Sequence, residues 1–162
     1  MNTTQNFTVS FTVDQDAEKV YNAINNVRGW WSEEVEGETD QVGAIWKYHF
    51  QDVHLCTMEI TELIANQKVV WKVLDNYFKF TQDKSEWIGN TIIFSINEKD
   101  GISEVTFTQE GLTPAYECYE ICENAWTNYI TDSLKGLIET GKGSPNATGK
   151  PQTEYEEDLS SN

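Results

Sequence analysis

Two periods run through this chain. Apolar residues fall at every second position in most segments, and at every third or fourth position in two. Phe7, Val9, Phe11 and Val13 share one face of FTVSFTV, the signature of a half-buried strand. In DQDAEKVYNAINN the period lengthens: Ala17, Val20, Tyr21 and Ile24 recur at helical spacing, and Asp14 or Asp16 stands where a cap is needed. Val27 to Ser32, with Trp30-Trp31, reads as a short helical turn. Glu33 to Glu38 reads as a short edge strand blunted by charge.

Alternation then returns. Trp46, Tyr48 and Phe50 share a face of Ala44–Phe50; Cys56, Met58 and Ile60 share one of Val53–Leu63; Val69, Trp71 and Val73 share one of Lys68–Asp75. With turns at Gln51-Asp52 and Asn66-Gln67, this predicts an antiparallel meander. Asn76–Gly89 is irregular but too aromatic for a solvated loop, holding Tyr77, Phe78, Phe80 and Trp87. Asn90–Asn97 and Ser103–Glu110 form a further hairpin around Lys99-Asp100-Gly101, with Ile92, Phe94, Ile96, Val105 and Phe107 inward. The second helical stretch, Pro114–Gly141, is interrupted by no proline and only by Gly136, and it should begin near Thr113-Pro114. Cys122, Trp126, Tyr129 and Ile130 fall on one of its faces.

One long helix laid on a wide, curved sheet cannot fill the space beneath it with its own side chains, so a cavity is expected there. The pattern predicts an α+β domain over residues 1–143 and a disordered tail over 144–162, which has no apolar period. The chain is rich in large rings, with six tryptophans in 162 residues. Each buried ring removes about 150–250 Å² from water, roughly 4–6 kcal/mol gross before entropy. A core of that kind needs no metal or disulfide.

The net charge of −16 argues against a nucleic-acid backbone or an anionic membrane surface as partner. Cys56, Cys118 and Cys122 form no disulfide framework, and His49 and His54 lie on a hairpin far along the chain from the last two, so no metal site and no cofactor are expected. The opening MNTTQNFTVSF has neither a charged nor an apolar targeting segment, and a cytoplasmic location is expected.

The order strand, helix, helical turn, about six to seven strands, long helix is that of the START-like helix-grip (SRPBCC) superfamily. Within it, FTVDQDAEKVYNAINNVRGWW, Gly43-Ala44-Ile45-Trp46, the E-x-x-x-x-Q-K-V-V-W pattern ending at Trp71 and AWTNYITDSLKGLIETGKG resemble the family of the Hsp90 ATPase activator Aha1 C-terminal domain. The resemblance spans about residues 7–143. Ala125 replaces a glycine usual before Trp126, and the His-x-Gly-Trp approach to it is absent. The superfamily implies a curved antiparallel sheet wrapped on the long helix, with two short helices after the first strand. It also implies roles from carrying small apolar molecules to assisting chaperones.

Ligand-lining candidates are Trp31, Trp46, Tyr48, Met58, Trp71, Phe94, Phe107, Tyr119, Cys122 and Trp126; Arg28 and His54 are candidates for polar groups at the cavity mouth. Each ring taken singly reads rather as core, and it is the set together that points to a pocket. Arg28, the only arginine, could hold an anionic ligand group or pair with Glu33 or Glu34. Among acid–base candidates, Glu59 has the outward parity of Leu55 and Thr57, whereas His54 shares the inward parity of Cys56 and Met58. No nucleophile–base pair or phosphate loop is visible, so no catalytic residue is assigned. The expected function is non-catalytic binding of a small apolar or aromatic molecule. The alternative is a chaperone-linked interaction domain with an Hsp90-type partner, and a cyclase-like enzyme ranks third.

Overall fold

Alternating segments become a sheet when one face has something to pack against. The computed structural model of the chain, which describes residues 6–33, 35–50, 54–79, 81–82 and 84–145, shows that outcome at nearly every predicted strand. Strand β1 (Phe7–Val13) buries Phe7, Phe11 and Val13 and exposes Thr8, Ser10 and Thr12. On that wet face Thr8 and Ser10 meet Thr108 and Thr106 through hydroxyl contacts of 3.1 and 3.0 Å.

Helix α1 (Ala17–Asn25) is capped by Asp16, whose carboxylate accepts from the Lys19 N–H at 2.8 Å. Helix α2 (Val27–Trp30) follows directly. The edge strand expected over Glu33–Glu38 shrinks to one bridge, Glu36 to Lys47. Gly37, at φ +113°, turns the chain away after that single pair.

Strands β2 (Ile45–Phe50), β3 (His54–Ile64), β4 (Lys68–Phe78), β5 (Thr91–Lys99) and β6 (Ile102–Glu110) complete a six-stranded sheet in the order β1-β6-β5-β4-β3-β2. All pairings are antiparallel. β4 runs past Asp75 because Asn76 and Phe78 still pair with Cys56 and His54. Register shifts at Thr57/Met58 and Ile60/Glu62 mark where β3 and β4 bend.

The long helix starts five residues later than Thr113-Pro114 suggests. Residues 114–118 form turns, and α3 (Tyr119–Asn128) begins after them. The cap comes from elsewhere in the chain: the Glu86 carboxylate accepts from the N–H groups of Glu117 and Cys118, at 2.7 and 3.1 Å. α3 passes through a π-helical turn (Tyr129–Leu134) into α4 (Lys135–Thr140), which Gly141 ends at φ +82°. The wider turn brings Tyr129, Ile130, Ser133 and Leu134 all into the interior.

The chain then folds back over α2. Gly143 seats against the Gly29 carbonyl, where any Cβ would clash. The Ser144 N–H donates to Ser133 Oγ at 2.8 Å, and Ser133 Oγ donates to the Trp30 carbonyl at 2.6 Å. The tail expected from 144 lies outside the described residues from 146 on. No described helix is long and apolar enough to cross a membrane.

Candidate functional site

All six tryptophans are buried, at 3% exposure or less. They gather because three sources of rings face one another: the inner sheet face, the α2 turn and the long helix. Trp46 stands on β2 opposite Met58, and Trp71 stands on β4 opposite Ile60. The centre is Trp31, at the end of α2. Its ring stacks on Tyr48 at 4.2 Å between centroids and touches Trp126 at 4.9 Å. Trp46 stands edge-on to it at 5.7 Å, and Trp71 lies parallel to it at 6.3 Å. These separations lie within the range in which aromatic quadrupoles attract.

From this centre the contacts continue without a break. Trp71 meets Trp46 and Phe94, each at 4.9 Å, and Phe107 meets Phe94 at 5.2 Å and Trp126 at 4.6 Å. Trp87 stacks on Trp126 at 5.8 Å and stands edge-on to His54 at 4.8 Å.

Polar ties hold part of this cluster and leave part untied. Gln109, fully buried on β6, accepts from the Trp126 indole N–H at 2.8 Å and donates to Asn90 Oδ1 at 2.9 Å. Asn90 in turn donates to the Tyr116 hydroxyl at 3.0 Å. The Trp30 indole donates to the Ile24 carbonyl at 3.1 Å. By contrast, the indole N–H groups of Trp46 and Trp71 are buried with no acceptor among the described residues. A buried donor left unmet costs about 1–3 kcal/mol, so two side by side call for an explanation. The Trp87 N–H lies against the Cys122 thiol, a weak acceptor.

His54 is half-buried. It packs on Phe78 at 4.4 Å and its Nε2 bonds Asn76 Oδ1 at 2.9 Å. Burial holds its pKa down to about 4, against a partial upward pull from Asn76, so the ring is neutral near pH 7. Burial likewise pushes the Cys56 and Cys122 thiols up, away from the thiolate a nucleophile needs. The fold brings His54 within one ring, Trp87, of Cys122, a neighbourhood that chain distance hides. Among the described residues no three metal-ligating side chains gather.

Arg28 is exposed and donates to the Gly37 carbonyl at 2.7 Å. It borders an open polar cleft of about 650 Å³ with Tyr21, Asn25, Glu38, Thr39 and Asp40, apart from the rings. Of the carboxylates expected to compete for it, Glu33 does not line this cleft, and Glu34 lies outside the described residues.

Of the lining candidates, Trp31, Trp46, Tyr48, Trp71, Phe94, Phe107 and Trp126 are joined by ring contacts, and Met58 and Cys122 are buried in the same core. Tyr119 packs against this core from its edge. It is half-buried at the start of α3, and burial and Glu123 raise its hydroxyl. Trp30, Trp87, Tyr129 and Gln109 belong to the cluster and were not among the candidates. Gln109 had a legible signal: it shares the inward parity of Val105 and Phe107. Trp87 had none, since it sits in turns without a period.

The family model of Activator of Hsp90 ATPase homolog 1-like protein matches residues 14–139. The chain belongs to that family. No curated protein matches it. Among solved structures, the Aha1 dimer from Colwellia psychrerythraea superposes with a TM-score of 0.69 at 24% identity, covering 86% of this chain and 99% of that one. Protein MLL2253 from Mesorhizobium loti gives 0.66 at 12% identity over 83% and 96%. DynU16, a putative protein in the dynemicin biosynthetic locus, gives 0.62 at 14% over 85% of this chain and 48% of its own. At these identities the likenesses establish the helix-grip fold, and function is left to the site.

Proposed function

We propose that this member of the family binds a small, flat, apolar or aromatic molecule between the sheet and the long helix, without converting it. One observation carries the reading: rings from two strands, the α2 turn and the long helix converge on one place, and two of these rings carry indole donors with no acceptor among the described residues. Non-catalytic binding fits the chemistry, because the half-buried histidine is neutral near pH 7 and tied to Asn76 while the buried thiols are held protonated. A cyclase-like enzyme would need a polar group acting on the ligand at the deep end, and His54 is committed elsewhere. A cytoplasmic setting and a partner that is neither nucleic acid nor membrane accompany this reading, in keeping with the charge of −16.

The test is a thermal-shift screen of flat aromatic, polyketide-like and fatty-acid compounds, followed by tryptophan fluorescence. A binder at a hundredfold excess over its Kd contributes about 2.7 kcal/mol, or roughly 5–10 °C for a domain of this size. No shift across the panel would sink the proposal.

Family membership favours a second reading, an interaction domain for an Hsp90-type chaperone. It predicts retention on immobilised Hsp90 and a raised Hsp90 ATPase rate. Exposed side chains would carry that contact, so replacing buried rings would affect it only through stability.

A further inference from the structure

The ring at the centre of the cluster comes neither from the sheet nor from the long helix. We propose that Trp31 is a built-in occupant of the ligand seat, and that a planar molecule of about indole size carrying a carbonyl or phenol oxygen binds by displacing it. This rests on the small-molecule reading above and says what that site must do to open.

Every wall of the seat is fixed by a long element. Tyr48 and Trp46 stand on β2, Trp71 on β4, Trp126 on α3, and Tyr129 on the π turn at 6.4 Å from Trp31. The occupant belongs to a weak one. α2 has four residues and no side-chain cap, too short to be stable outside its packing. Beyond Trp31 come a buried bridge residue, Ser32, a turn at Glu33 and the pair between Glu36 and Lys47, with no regular element among the described residues before β2.

Trp30, the next residue back, is pinned: its indole donates to Ile24, its carbonyl accepts from Ser133, and Gly143 closes over Gly29 beside it. Trp31 has its backbone N–H on the Val27 carbonyl at 2.8 Å, but among the described residues no hydrogen bond holds its indole. Swinging the Trp31 side chain out, with its backbone N–H left on Val27 and Ser32 left in its bridge, therefore breaks only ring contacts, and those are what an incoming flat molecule restores.

The occupant is also imperfect. Indole carbon offers no lone pair, so the N–H groups of Trp46 and Trp71, whose rings contact Trp31, stay unmet among the described residues while Trp31 fills the seat. A ligand oxygen placed among them meets that need. The seat should thus prefer a ring system with an acceptor over one of equal shape without it.

The sign of one substitution separates an occupant from a wall. Removing a competitor tightens ligand binding, because apparent affinity scales with the fraction of protein whose seat is open. Removing a wall weakens it. The probes are 1-indanone and indane, bicyclic molecules of indole size that differ by the carbonyl. Trp31→Ala should bind 1-indanone at least about tenfold more tightly than the wild type, and 1-indanone should outbind indane by about tenfold in both. Any emptied tryptophan site can take a small ring, so displacement is also read in the wild-type chain labelled with 5-fluorotryptophan. On adding 1-indanone, the Trp31 fluorine signal should move towards its solvent-exposed position while that of Trp30 stays.

Weaker binding to Trp31→Ala, or a Trp31 signal that stays buried in the bound wild type, overturns the occupant model and leaves small-molecule binding standing. Equal affinity for the two probes overturns the acceptor requirement. Failure of both probes to bind either protein, together with a silent compound screen, removes the small-molecule reading and this inference with it.

Discussion

Trp30 and Trp31 are adjacent, both buried, and held in different ways. Trp30 is tied through its side chain to α1 and through its carbonyl to the π turn. The Trp31 side chain is held by ring contacts alone among the described residues, while its backbone N–H donates to the Val27 carbonyl. The same division runs through the whole core. Towards β6, Trp126, Gln109, Asn90 and Tyr116 form a chain of directional bonds in which one geometry satisfies all four. Towards β2, the Trp31–Trp46–Trp71 group has large contact area and no such bond. Contact area is non-directional and survives the exchange of one flat ring for another; hydrogen bonds do not. The bonded side is scaffold, and the unbonded side is where a ligand can enter.

The largest expected effect is on the scaffold. Trp126→Ala should cost roughly 3–5 kcal/mol in denaturant unfolding, since it leaves a ring-sized hole and strands Gln109 Oε1 without its donor. A cost under about 1 kcal/mol would mean that the helix is not anchored there.

Next is a pH effect through His54, which lies between the two regions. Its pKa is lowered on folding from 6.5 to about 4, so the unfolded chain takes up a proton first as pH falls. Its contribution to stability is therefore whole above about pH 6.5 and is lost progressively as pH falls towards 4. The loss amounts to about 3 kcal/mol at roughly 1.4 kcal/mol per pH unit. His54→Gln should flatten that part of the stability–pH curve. An unchanged slope would show that carboxylates alone set it.

The smallest effect divides the neighbours. Trp30→Phe removes a bonded N–H and should cost about 1–2 kcal/mol more than Trp31→Phe, which removes ring area only. Equal losses would break the distinction between a pinned and an unpinned ring.

Much of this was legible from periodicity, because each strand of the sheet has one dry face. β1, β2, β5 and β6 follow their alternation closely. The parts that were not legible have non-local causes. Pro114 is a good first-turn residue, yet the helix starts where Glu86, on a distant turn, supplies acceptors, and no local pattern announces that. The Glu33–Glu38 strand fails because Gly37 takes a left-handed turn, which the glycine permits and does not announce.

Strand parity turned Trp46, Tyr48, Trp71, Phe94 and Phe107 inward, helical spacing did the same for Trp126, and the structure buries all six. Tyr119, in the first turn of α3, is only half-buried and packs at the edge of the same core. Which rings are tied and which are free depends on backbone carbonyls and on Gln109 across the core, and composition carries no trace of that.

The most direct measurement is the indole N–H region of a ¹⁵N–¹H spectrum during titration with 1-indanone. The signals of Trp46 and Trp71 should shift downfield and saturate together as each gains an acceptor. Those of Trp30 and Trp126, already bonded to Ile24 and Gln109, should stay in place. Saturable binding that moves Trp30 and Trp126 while leaving Trp46 and Trp71 unchanged would contradict the division of the core into scaffold and seat.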